Sequence, residues 1–312
     1  MAGDLVEGLA AVLGAAEITG LTRLSGGASR DTWRFEADGT PLILQRQRDG
    51  DERDMTIEIA AVRAAGAAGV PTATLVAGST DREPLGAAYM ILTRVDGETT
   101  ARKLLRDDEF DGARRKLPAQ LAQALAKIHA IDPSSIPGVV EIDQVERYRE
   151  VLDELRQPHP TFELAFRWLE ANRPPIRGGV VVHGDFRLGN VIVDHDGLRA
   201  VLDWELVHLG DPMEDLGWLC VKAWRFGSAH PVAGVGEYQQ LFDAYVAAGG
   251  RAVDAADVRW WEVLGTLKWG IMCIMQANAH LSGMSRSHEL AAIGRRVCEN
   301  EHDLFLALEG HW

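Results

Sequence analysis

The chain has few cysteines, no long apolar run and no excess of positive charge, and each shortage argues against a class of protein. Its three cysteines, Cys220, Cys273 and Cys298, are scattered, odd in number and without CxxC spacing. That argues against a disulfide framework or a zinc site and suits a reducing, cytoplasmic setting. No stretch approaches the ~18 consecutive apolar residues that a membrane-spanning helix needs. The apolar pattern at the N-terminus is broken by Asp4 and Glu7 and lacks a basic segment, unlike a secretory signal. The expectation is a soluble protein. Net charge is −14, the wrong sign for a nucleic acid or an anionic membrane, both of which need a basic face. Residues 1–95 contain no lysine; their nine arginines against thirteen acids give −4, which leaves −10 for the remainder. An acidic C-terminal part can attract a cationic substrate, although solubility is the commoner reason for such charge.

With 312 residues, 46% of them hydrophobic and 25% charged, the chain can form one large domain or two lobes sharing a cleft. Leu5, Leu9 and Leu13 mark a short amphipathic helix. Thr32-Trp33-Arg34-Phe35 alternates as a strand does, Asp38-Gly39 is a hairpin turn, and Pro41–Arg46 reads as the returning strand. An alanine-rich helix over 55–69 should stop at Gly69 and Pro71, and Ala88–Leu92 is a further strand. After residue 95 the character changes. Leu117, Leu121, Leu125 and Ile128 have helical spacing, as do 145–170, 237–248 and 257–280, with short strands near 180–182, 191–193 and 199–202. The expected division is therefore an N-terminal lobe over 1–95 and a mainly helical lobe over 96–312.

The chemistry concentrates in Val181-Val182-His183-Gly184-Asp185-Phe186-Arg187-Leu188-Gly189-Asn190 and in Val201-Leu202-Asp203-Trp204-Glu205. A short strand leads into a loop bearing an acid and an amide; a hairpin turning at 194–197 then returns a second acid towards that amide. Asn190 and Asp203 are oxygen donors suited to a hard cation such as Mg2+, with phosphate oxygens and water completing its shell. Asp185, five residues before Asn190, would orient an acceptor hydroxyl and take its proton, the division of labour of protein kinases.

His-Gly-Asp-x-x-x-x-Asn followed by Leu-Asp-Trp-Glu resembles the aminoglycoside phosphotransferase family, a branch of the protein-kinase-like fold. Residues 202–205 and Gly210–Trp218 resemble most the kinase-like domains fused to some acyl-CoA dehydrogenases. The resemblance spans most of the chain, strongest over 181–218 and thin after 280. It implies an α+β, two-lobed fold: an N-terminal nucleotide-binding lobe with an antiparallel sheet, and a C-terminal catalytic and substrate-binding lobe of helices. It implies ATP and Mg2+ as cofactors, a small molecule with a hydroxyl group as acceptor, Asp185 as catalytic base, and Asn190 and Asp203 as metal ligands. Asp215 resembles the acid that buttresses the catalytic loop, a structural role; His129 and His183 likewise read as packing or loop-fixing residues.

On the nucleotide side, Ser25, Gly26, Gly27, Ala28 and Ser29 resemble the family's phosphate-covering loop, whose amides and hydroxyls can approach phosphate oxygens. The strand lysine of kinases is missing. The strand ends Leu44-Gln45-Arg46, so Arg46, paired with Glu58 of the next helix, would carry its role, unless Gln45 is the aligned residue. Thr93 and Val95 resemble the hinge that meets adenine through its backbone. Trp261, Glu262, Trp269 and His280 are candidates for the acceptor pocket, although aromatics at helical spacing are more often core. A hydroxylated metabolite is favoured over an aminoglycoside. The rival from another class is a nucleotide-binding pseudokinase module without transfer activity, for which the missing lysine speaks.

Overall fold

The computed structural model describes residues 2–24, 30–48, 54–175 and 177–311. The predicted loop Ser25–Ser29 lies outside the described residues. Helix α1 (Ala2–Leu13) precedes strands β1 (Ile18–Arg23), β2 (Arg30–Ala37) and β3 (Thr40–Gln47), helix α2 (Thr56–Ala67), and strands β4 (Leu75–Ser79) and β5 (Tyr89–Thr93). The five strands form one antiparallel sheet in the order β1-β2-β3-β5-β4. Asp38 (φ 48°) and Gly39 (φ 78°) turn the chain between β2 and β3, the two left-handed positions that a two-residue hairpin needs. The Asp38 carboxylate also accepts from the Ala16 and Glu17 amides, tying β1 to this turn.

Side chains alternate across β2, β3 and β5, so the sheet has two distinct faces. Phe35, Leu42, Leu44, Tyr89 and Ile91 point to the back, where Leu5 and Leu9 of α1 cover them. Met90 and Leu92 point to the front, towards α2. Small residues let α2 lie close: Ala60, Ala61, Ala64 and Ala65 are buried, and a Cβ on Gly78 would sit 3.1 Å from Ile59.

Helices dominate the remainder. They are α3 (Ala101–Arg106), α4 (Asp111–His129), α5 (Gln144–Leu155), α6 (Pro160–Ala171), α7 (Met213–Cys220), α8 (Tyr238–Ala247), α9 (Ala255–Leu281), α10 (His288–Gly294) and α11 (Val297–Leu308). Two small hairpin-like pairs lie among them: β6 (Val180–Val182) with β9 (His208–Gly210), and β7 (Val191–Asp194) with β8 (Gly197–Val201). The helical stretch expected over 145–170 is two helices. Arg156 turns left-handed (φ 52°) at the end of α5, and Pro160 opens α6, where its missing N–H costs nothing. The main core runs from α2 and the front of β5 into α4, α7 and α9, and Val201 N–H to Pro71 O (2.8 Å) and Lys127 Nζ to Gly69 O (2.8 Å) join the two parts.

Candidate active site

Strand β6, three valines buried on all sides, delivers the chain into the 183–190 loop, and Asp215 on α7 shapes that loop. The His183 amide donates to Asp215 Oδ2 (2.8 Å) and the Gly184 amide to Oδ1 (3.0 Å). Position 184 requires glycine: its φ is +79°, and a Cβ there would lie 2.5 Å from Leu206 O. His129 Nε2 meets Asp215 Oδ2 at 3.1 Å, with Nδ1 2.7 Å from Tyr245 Oη. Burial opposes ionisation of Asp215, but the hydrogen bonds it accepts from His129 and from the His183 amide outweigh it and hold the carboxyl below its ordinary value. Replacing Asp215 with alanine would strand three buried donors, and urea unfolding is expected to show a loss of roughly 3–5 kcal/mol.

His183 ties the loop to the segment before Asp203. Its Nδ1 accepts the Asp185 amide (3.2 Å) and its Nε2 donates to Leu202 O (3.0 Å), so the proton belongs on Nε2. Burial keeps this imidazole below its usual pKa, consistent with a neutral ring; Trp204 packs beside it, ring centres 4.7 Å apart. The Leu202 amide also donates to Asn190 O (2.8 Å). Asp203 follows directly, in a left-handed conformation (φ 64°) that few residues other than glycine, asparagine and aspartate adopt.

Asp185 and Asn190 are in contact. Asn190 Nδ2 donates to Asp185 Oδ2 (2.6 Å) and to Asp185 O (3.0 Å), which turns its Oδ1 away from Asp185. Asp185 Oδ1 accepts from the Trp218 indole (2.8 Å) and from Arg187 Nε (3.1 Å). Asp203 shares their surroundings. Its carboxyl is pushed up to about 7 by burial and then by the charges of Glu205, Asp185 and Glu58, with Arg187 opposing. Arg187, and the Arg30 that pairs with Glu58, offset part of this charge, and the excess of carboxylates that remains fits a cation. No three His, Cys, Asp or Glu side chains converge into a metal cage among the described residues. The donor set thus suits Mg2+ held by one carboxylate and one amide, with phosphate and water supplying the rest.

Three side chains here had no assigned role in the sequence. Trp218 fixes Asp185 from 33 residues away. Arg187 lies 4.8 Å over Trp224, and Lys268, buried beside Trp218, donates to Gly184 O (2.9 Å) from beneath the loop. Only Arg187 had a local signal, its place two residues after Asp185.

The N-terminal cation differs from expectation. Arg46 shares the back face of β3 with Leu42 and Leu44, donates to Leu85 O (3.1 Å) and lines a cavity of about 670 Å³ with Trp33 and Leu5. It does not meet Glu58. Glu58 pairs instead with Arg30 at 2.6 Å. At the expected hinge, the Thr93 amide already donates to Thr74 O and the Arg94 amide to Pro41 O, so neither of these N–H groups is available to an adenine edge. Of the acceptor-pocket candidates, Glu262 is buried against Arg225 (2.6 Å) and Tyr238 (2.9 Å). Trp269 packs on Trp224 and Trp261 on Trp260, while His280 accepts the Ser287 amide near the end of α9.

An antiparallel sheet set on a helical body, with a carboxylate-bearing loop below the sheet, is the architecture of protein-kinase-like phosphotransferases. Residues 20–256 match the phosphotransferase enzyme family APH, and the chain belongs to that family, whose members transfer phosphoryl groups to hydroxyls of small molecules. Among curated proteins it is similar to mouse acyl-CoA dehydrogenase family member 10, 26% identical over 238 residues that make up 68% of this chain and 21% of that protein. The chain thus spans about a fifth of that relative's length. Among solved structures, a putative aminoglycoside phosphotransferase from Ralstonia eutropha superposes with a TM-score of 0.76 at 20% identity, covering 99% of this chain and 98% of that one. A ternary complex of aminoglycoside phosphotransferase APH(4)-Ia with AMP-PNP and hygromycin B gives 0.65 at 17% identity, covering 96% and 98%. At these identities the superpositions establish the fold.

Proposed function

We propose that this chain transfers the γ-phosphoryl group of ATP to a hydroxyl of a small hydroxylated metabolite. The observation that carries the reading is the Asp185 carboxylate, held by Trp218, Arg187 and Asn190 beside the acid-rich surroundings of Asp203. Asp185 orients the acceptor hydroxyl and takes its proton as the oxygen bonds to the γ-phosphorus and the bond from that phosphorus to the β–γ bridging oxygen breaks, ADP leaving with that oxygen. Trp218 and Asn190 keep that carboxylate from rotating, so orientation is settled before substrate arrives. Asn190 and Asp203 would hold Mg2+, which when bound neutralises charge on the β and γ oxygens. ATP use is supported by the AMP-PNP complex of a structural neighbour, and Glu58, Thr93 and Val95 border the side where the nucleotide would lie.

A hydroxylated metabolite is preferred to an aminoglycoside for two reasons. Glu262, the acid that could have greeted a polycation, is 1% exposed and committed to Arg225, Arg259 and Tyr238. The similarity to an acyl-CoA dehydrogenase family member points the same way. A second reading, a nucleotide-binding module without transfer, is favoured by one observation: β3 puts Gln45, not a cation, on its front face, opposite Met90. Coupled ADP release across a panel of hydroxy acids, their thioesters, amino alcohols and aminoglycosides separates the two. Release above the water background with a hydroxylated metabolite is the expected result. MgATP binding with no release for any acceptor would favour the module, and absence of MgATP binding would sink both.

A further inference from the structure

A kinase-like site needs a cation over the nucleotide phosphates, and here β3 does not supply it. Arg46 sits on the back face, and no lysine occurs before residue 103. The ladder between β2 and β3 shows what stands on the front instead. Arg30 opposes Gln47 and Thr32 opposes Gln45, and because side chains alternate, Arg30 and Gln45 share a face while Asp31 and Arg46 share the other. Arg30 reaches Glu58 Oε2 at 2.6 Å, both side chains only 8% exposed. Glu58 is buried on α2, which packs on the front face with Met90 and Leu92 in the core that runs on into the helical body, so the ion pair stands on the side of the sheet turned to those helices; its charge is also among those acting on Asp203.

We propose that Arg30 is the residue that contacts the nucleotide phosphates, with Glu58 holding its guanidinium, so that β2 provides the cation missing from β3. The proposal rests on the ATP reading above and deepens it. An arginine suits this task better than a lysine would. Its planar fork can serve a carboxylate on one edge and a phosphate on another, whereas an ammonium offers a single point of charge. A buried ion pair is also a poor way to gain stability, since desolvation offsets most of the attraction. Its place next to the site therefore calls for a reason other than holding the sheet to α2.

Titration calorimetry with the full chain, using MgATP, MgADP and adenosine as separate probes, tests this. Arg30→Gln is expected to weaken MgATP and MgADP roughly ten- to a hundredfold, the range for losing a hydrogen bond to a charged group, and to leave adenosine affinity unchanged. A purely structural Arg30 would weaken all three alike or none, and either outcome overturns the proposal. Should Arg30→Gln fail to fold, the double variant Arg30→Met with Glu58→Leu replaces both charges by apolar groups of similar volume, a change that buried pairs tolerate. It must show the same selective loss. Wild-type protein that binds adenosine and MgATP equally would count against Arg30, whereas wild-type protein that binds neither would overturn the ATP reading itself.

Discussion

Asp185→Asn is expected to lower phosphoryl transfer roughly 10²–10⁴-fold, the usual contribution of a positioned general base, while MgATP affinity changes no more than a few-fold. The cause is local. The Asp185 carboxylate accepts three side-chain hydrogen bonds, from Trp218, Arg187 and Asn190. An asparagine can keep its oxygen towards the Trp218 indole and Arg187, but its amide then faces Asn190 Nδ2, donor against donor. The Asn190 amide has to rotate or the new amide has to tilt away, and in both cases no basic oxygen is left for the acceptor's proton. Nucleotide affinity should survive because the loop backbone is held independently, by Asp215 on the His183 and Gly184 amides and by Lys268 on Gly184 O. Steady-state rates with saturating acceptor, beside MgATP titrations, check both halves. Turnover at the wild-type rate would remove Asp185 from the chemistry.

That loop was the most legible part of the sequence because its chemistry is short-range. Asp185 and Asn190 are five residues apart in one loop, and the Asp194–Gly197 hairpin brings Leu202 back to the Asn190 backbone. Both arms are close in sequence, so spacing alone locates them. The buttress from Trp218 and the support from Lys268 cross 33 and 84 residues, and no local pattern announces them. Trp261 and Trp269, candidates for the acceptor pocket, pack with Trp260 and Trp224 in the interior.

The misplacement of Arg46 has a different origin. Gln45, Arg46, Gln47 and Arg48 are all polar, so no alternation of apolar and polar residues fixes the face at the end of β3. The answer comes from further back in the strand, where Leu42 and Leu44 face Leu5 and Leu9 of α1, and from the pairing of Arg30 with Gln47 across the ladder. Strand β4 was also missed. Leu75-Val76-Ala77-Gly78-Ser79 is an edge strand with small residues, and it owes its place to β5 and α2 more than to its own propensity.

Asp203→Asn is expected to make the metal-free protein more stable and the enzyme inactive. Without a cation, the Asp203 carboxyl is pushed up to about 7 by burial and by Glu205, Asp185 and Glu58. An acid raised in the folded state binds more protons there than in the unfolded chain, so stability falls as pH rises from about 4 through about 7, and the whole cost is present above that. Each tenfold change in proton affinity on folding corresponds to about 1.4 kcal/mol. The cost at pH 8 is therefore large enough to show as a rise of several degrees in the melting temperature of the asparagine variant. The difference should close as pH drops towards 4, where both proteins are neutral at this position. Asparagine also tolerates the left-handed backbone at 203, so strain does not mask the effect. Saturating MgATP should reverse the order, because a ligand that needs the carboxylate stabilises the wild-type protein by mass action and the variant far less. Transfer should fall by roughly 10²–10³ or more, as when one electrostatic contact to the transition state is removed. Thermal melts from pH 4 to 8, with and without MgATP, decide the matter. If the two metal-free proteins melt in parallel across that range, Asp203 is not a carboxylate held in wait for a cation. A residue that destabilises the empty protein and stabilises it only when metal and nucleotide arrive is what a binding site, and not a structural acid, should contain.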